Sequence, residues 1–130
     1  MNKTVVLRNS RDLLLKLHKA LVDFERESYV TFNGPVTSGQ FLNQLLENSD
    51  FAWLRKFSML IVDIDEMFAQ KDGYSGEAVD VHLIMMERII SMTEADDYFR
   101  AKYEMALQGD SEAAALHAEL KSVLQYKDSQ

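Results

Sequence analysis

The stretch that decides the fold is WLRKFSMLIVDIDEMF, residues 53–68. Its large apolar residues recur every three or four positions, which is the period of one face of an α-helix. They are Trp53, Phe57, Leu60, Ile61, Ile64, Met67 and Phe68. Because burying one side chain of this size stabilises a fold by about 1.5–3 kcal/mol, we expect the stripe to lie in a core shared with other helices.

Glycine and proline divide the rest of the chain into segments. They are confined to 34–39, 73–76 and position 109, and both residue types are unfavourable inside helices. The segments between them contain no run of alternating β-branched residues of the kind that indicates strands. We therefore predict an all-α fold, an antiparallel bundle of five or six helices, in a single domain over 1–130 whose tail frays from about 125.

Short polar residues predict where several helices begin. Thr37 and Gln40 match a capping box, in which each side chain bonds to the backbone N–H of the other residue. Ser75 can cap the helix that follows the second glycine cluster, and Asn9 or Ser10 can cap the first helix. The residues before Asn9 are compatible with either an extended segment or an early helical turn.

Composition excludes several classes of protein. The chain is 47% hydrophobic and 27% charged, which is typical of a globular protein, and it has no cysteine for disulfides, thiolate metal sites or nucleophilic catalysis. Its acidic net charge of −7 disfavours nucleic acid and anionic membrane surfaces as partners. No apolar run approaches the ~18 residues of a membrane span, and the first residues do not resemble a secretory signal. We expect a cytoplasmic protein with no nucleic-acid or membrane partner.

The segment 77–92 is apolar on more than one side. One face carries Ala78, Val81, His82, Met85, Ile89 and Met92, and a second flank carries Val79, Leu83, Met86 and Ile90. We assign the first face to the core and predict that the second flank is an interface covered by another chain. A homodimer closed by a two-fold axis is the simplest such assembly, and another protein is the other possible partner.

Two further hypotheses concern ligands. Trp53 and Phe57 together with His82 and Met85 could line an apolar pocket for a small molecule. Alternatively, Asp63 with Glu66 and Glu77 with Asp80 form two carboxylate pairs at i, i+3 spacing near the facing ends of two consecutive helices. Clustered carboxylates suit Mg²⁺, which takes oxygen ligands and supports phosphate chemistry.

These carboxylate pairs resemble those of MazG-like nucleotide pyrophosphohydrolases, an all-α family with Glu-x-x-Glu on one helix and Glu-x-x-Asp on the next. The resemblance covers residues 63–80, and it implies Mg²⁺-dependent hydrolysis of a nucleotide with these four carboxylates as metal ligands. In this chain Asp63 stands where the family has Glu, and the stretch between the two motifs is shorter than the family usually shows.

No nucleophile elbow, phosphate loop or histidine metal motif accompanies the carboxylates. The sequence therefore predicts first a non-catalytic interaction or assembly protein that has no cofactor and self-associates through an apolar helix flank. The alternative is a Mg²⁺-dependent, MazG-like pyrophosphohydrolase.

Overall fold

In the described part of the chain, several helices pack against the long first helix. A computed structural model describes residues 2–93 and 95–126, and in that part of the chain it shows six α-helices and no strand. The helices are α1 (Lys3–Asn33), α2 (Ser38–Glu47), α3 (Ala52–Phe68), α4 (Gly76–Ser91), α5 (Asp97–Gly109) and α6 (Ser111–Tyr126), with a short 3₁₀ turn (Ser49–Phe51) before α3. The all-α prediction is confirmed. α6 runs to Tyr126, and the rest of the predicted frayed tail, 127–130, lies outside the described residues.

The first helix begins earlier than either predicted cap. Asn2 is the N-cap, and its side-chain oxygen accepts a hydrogen bond from the backbone N–H of Thr4 at 2.7 Å. Ser10 instead lies inside α1, where its buried hydroxyl donates to the carbonyl of Val6 at 2.7 Å. Val6 and Leu7 are fully buried, so contacts with other helices favour the additional turns.

The other predicted caps are present. Thr37 and Gln40 form the reciprocal capping box, with N···O distances of 2.9 and 3.1 Å. At the start of α4, the hydroxyl of Ser75 accepts a hydrogen bond from the backbone N–H of Ala78 at 3.1 Å. These local bonds satisfy N–H groups that have no partner within their own helix.

The core is built where α3 and α5 meet α1 and α6. The predicted stripe of α3 is buried apart from the partly buried Phe68. Within it, Trp53 and Phe57 pack against Phe99 and Tyr103 of α5, with ring centroids 5.3–6.4 Å apart. The hydroxyl of Tyr103 lies 2.7 Å from Nδ1 of His117 in α6, so the aromatic cluster is tied to a third helix by a hydrogen bond.

Burial changes the protonation behaviour of this hydrogen-bonded pair. It raises the pKa of the Tyr103 hydroxyl, which therefore stays protonated and can donate to a neutral imidazole. Burial, followed by the charge of Lys121, lowers the pKa of His117. Burial also lowers the pKa of His18 on α1. The folded protein therefore favours the neutral form of both histidines.

We predict that the protein is less stable in mild acid. Below the unfolded-chain pKa of about 6.5, the unfolded state binds protons at His18 and His117 more readily than the folded state does. Stability contributed by the neutral rings is therefore full above that pH and declines as the pH falls towards their lower folded pKa values. The urea midpoint should be lower at about pH 5 than at about pH 7.5, and the double variant His18→Gln/His117→Gln should show a smaller difference.

The ion pair between Arg11 and Asp65 should not contribute to this difference in stability between the two pH values. Hydrogen bonds from Arg11 hold the pKa of the Asp65 carboxyl below its ordinary value. Stability from this carboxylate is present above its unfolded pKa and is lost only at more acidic pH, so it stays constant between about pH 5 and 7.5. Equal urea midpoints at the two pH values would contradict the assignment to the histidines.

Candidate interaction face on α3 and α4

Five large apolar side chains lie exposed on the outer sides of two neighbouring helices. α3 and α4 pack side by side and run in opposite directions, because only a short loop joins them. Met59 and Val62 of α3 are 63% and 52% exposed, and Val81, Ile84 and Met85 of α4 are 52%, 44% and 37% exposed. We call these five residues the outer face. Adjacent exposed apolar side chains of this size are typical of an interaction surface.

Charged residues of opposite sign lie at the two ends of the outer face. The acidic end is formed by Asp63, Glu66 and Glu77, and the basic end by Arg55, Lys56 and Arg88. All of them are exposed except Arg55, which is half-buried. The loop next to the acidic end contains Lys71 and Asp72, whose opposite charges offset each other.

Two residues of the basic end are held in position by neighbouring elements. The Arg55 guanidinium donates to the carbonyl oxygen of Leu46 at 2.8 Å and so satisfies the C-terminal end of α2. Nζ of Lys56 lies 4.8 Å from the centre of the Phe99 ring. Both contacts leave the positive charges of Arg55 and Lys56 in place.

The predicted interface residues are not on this surface. Val79, Leu83, Met86 and Ile90 are at most 3% exposed and form part of the core of their own chain. Val81 and Met85, which the periodicity had assigned to the core, are instead exposed. The prediction that another chain covers Val79, Leu83, Met86 and Ile90 is wrong, because α1, α3 and α6 pack against α4 within the same chain.

The predicted apolar pocket does not form. Trp53 and Phe57 are 3% and 0% exposed within the aromatic cluster, where rings of α5 occupy the space beside them. His82 is half-buried in a different place, and its Nδ1 lies 2.7 Å from the carbonyl oxygen of Ala78. Met85 is exposed on the outer face. The four residues therefore do not line one cavity.

The predicted metal ligands also separate. Asp63 and Glu66 line an open groove at the acidic end, together with His82. Asp80 instead faces α1, where its carboxylate lies 3.1 Å from Nζ of Lys3, and Glu77 is exposed at the first turn of α4. Within 2–93 and 95–126, no three histidine, aspartate or glutamate side chains are arranged to hold a metal ion. The four-carboxylate site is therefore not formed.

None of the helices in the described ranges combines the length and apolar character needed to cross a membrane. Comparisons with protein-family models, curated proteins and solved structures found no match, so none supports the resemblance to MazG-like pyrophosphohydrolases.

Proposed function

We propose that this protein is a non-catalytic assembly protein that self-associates through the outer face of α3 and α4. The observation that carries the proposal is the exposure of the five apolar side chains of the outer face between charged ends of opposite sign. Covering such side chains removes apolar area from water, at roughly 25 cal/mol per Å². A second copy is a suitable partner because it brings the same apolar centre and both charges.

The dimensions of the two helices limit the area of the contact. Helices of 16 and 17 residues are about 25 Å long, and packed helices lie about 8–10 Å apart. The outer sides of the two helices, with their charged ends, therefore cover about 25 by 20 Å, or roughly 500 Å² per partner, which is at the lower end for specific complexes. We expect a dimer that dissociates in the micromolar range.

Analytical ultracentrifugation tests this expectation. The wild-type chain should pass from monomer to dimer between about 1 and 100 μM. Met59→Gln should raise the dissociation constant about tenfold, because a polar amide replaces a thioether at the centre of the contact and costs about 1.4 kcal/mol. Met105→Gln is the matched control, because Met105 is a similarly exposed methionine (57%) on α5, which contributes no residue to the outer face.

Two outcomes would overturn the proposal. A chain that stays monomeric throughout this concentration range would show that the outer face does not bind a second copy, and a different protein would then be the candidate partner. Equal weakening by Met59→Gln and Met105→Gln would place the contact elsewhere on the surface.

A further inference from the structure

The outer sides of α3 and α4 carry the same spacing of residues with opposite charge order. Along α3 the order is basic, apolar, apolar, acidic, and along α4 it is acidic, apolar, apolar, basic. The residues are Arg55, Met59, Val62 and Glu66 on α3, and Glu77, Val81, Ile84 and Arg88 on α4. Both sets follow the pattern i, i+4, i+7, i+11, which keeps four residues on one side of a helix. Because the two helices are antiparallel, their basic residues lie at one end of the helix pair and their acidic residues lie at the other end.

Each set is symmetric about its own centre. Arg55 and Glu66 have the same midpoint as Met59 and Val62, between positions 60 and 61. On α4 the corresponding midpoint lies between positions 82 and 83. Lys56 of α3 lines one groove together with Arg88 of α4, and Asp63 lines another groove together with His82. Positions 56 to 63 of α3 therefore lie beside positions 88 to 82 of α4, and both midpoints fall within these stretches at about the same height. A single axis can therefore pass over both centres.

We propose that two copies associate about a two-fold axis that crosses α3 and α4, an inference that rests on the proposed self-association. The axis lays α3 antiparallel on α3 of the second copy, and α4 antiparallel on its α4. Arg55 then opposes Glu66 of the second copy, and Glu77 opposes its Arg88, while the apolar residues meet in the middle. Complementary ends of this kind fix the orientation of an interface more than they add affinity.

The other face-to-face arrangement has the two-fold axis parallel to the helices. It would place the acidic end of one copy on the acidic end of the second, and the basic end on the basic end. Asp63, Glu66 and Glu77 would then lie against three carboxylates of the same kind. Like charges that face each other strongly disfavour such an orientation. The order of charges along the helices therefore selects the two-fold axis that crosses α3 and α4, which we call the crossing axis.

Disulfide cross-linking distinguishes these arrangements because the chain has no cysteine of its own. Glu77→Cys and Arg88→Cys each introduce a single exposed thiol. About the crossing axis, position 77 lies level with position 88 of the second copy. The same position in the two copies is then separated by eleven residues, or about 16 Å along the helix, well beyond the roughly 7 Å between Cα atoms that a disulfide allows.

In an equal mixture of the two variants, about half of the dimers should contain one of each by chance, and these should cross-link on oxidation. Each variant alone should cross-link only to the background level of Met105→Cys, whose thiol lies on α5. Ultracentrifugation of the reduced variants reports dimer formation separately. A monomer would overturn self-association and this arrangement together. A dimer in which each variant cross-links to itself, or in which the mixture does not cross-link, would overturn only the arrangement.

Discussion

Phe57→Ala should destabilise the protein by about 3–5 kcal/mol, the range typical of deleting a fully buried phenylalanine. Phe57 is 0% exposed and lies at the centre of the aromatic cluster, with the rings of Trp53, Phe99 and Tyr103 at centroid distances of 6.0, 5.7 and 5.3 Å. Alanine would remove these contacts and leave a cavity between α3 and α5. Urea unfolding followed by circular dichroism measures the loss.

Phe32→Ala is the matched control, because it makes the same chemical change at the end of α1, where Phe32 is 86% exposed. Its cost should stay within about 0.5 kcal/mol, as for most surface substitutions. Similar costs for the two variants would contradict the burial of Phe57 and the packing of α5 against α3.

Gly109→Ala should destabilise the protein by about 1–3 kcal/mol, as overpacking typically does. Gly109 is the last residue of α5, and a Cβ atom there would lie 2.7 Å from Cε1 and 2.9 Å from Cζ of Phe24 in α1. This is closer than van der Waals contact, so the ring or the end of α5 must move. The measurement is the change in unfolding free energy from urea denaturation.

Two further variants test this explanation. Gly39→Ala lies in α2 with no atom within 4 Å of its added Cβ, and it should be neutral or stabilise by about 0.5–1 kcal/mol. Phe24→Leu shortens the side chain that meets Gly109. The double variant Phe24→Leu/Gly109→Ala should therefore cost less than the sum of the two single variants. Additive costs would show that the close contact with Phe24 is not the cause.

Gly109 shows how far a sequence rule extends. Its position at the end of a helix follows from the low helix propensity of glycine, which is a property of the residue itself. The close approach of Phe24 depends on where α1 and α5 lie relative to each other, and these residues are 85 positions apart in the chain. Propensity therefore located the helix end, while the reason that only glycine fits appeared in the packing.

The assignment of α4 failed for a related reason. Its apolar residues cover more than half of its circumference, so periodicity alone could not say which side faces the core. The structure buries Leu83 and Met86 on one flank, and it exposes Val81 and Met85 on the other. The four carboxylates were similarly ambiguous, since the one at position 80 turns towards a lysine of α1 that is far from it in sequence.

The amino-acid sequence by itself determined the helical class, several of the helix boundaries and the buried stripe of α3, because these depend on propensity, capping and periodicity within a few turns of the chain. The tertiary structure alone decided which flank of α4 is buried, where the carboxylates point and which charges share an end of the outer face. These features depend on contacts between helices, whose relative positions are set by the packing of the whole core.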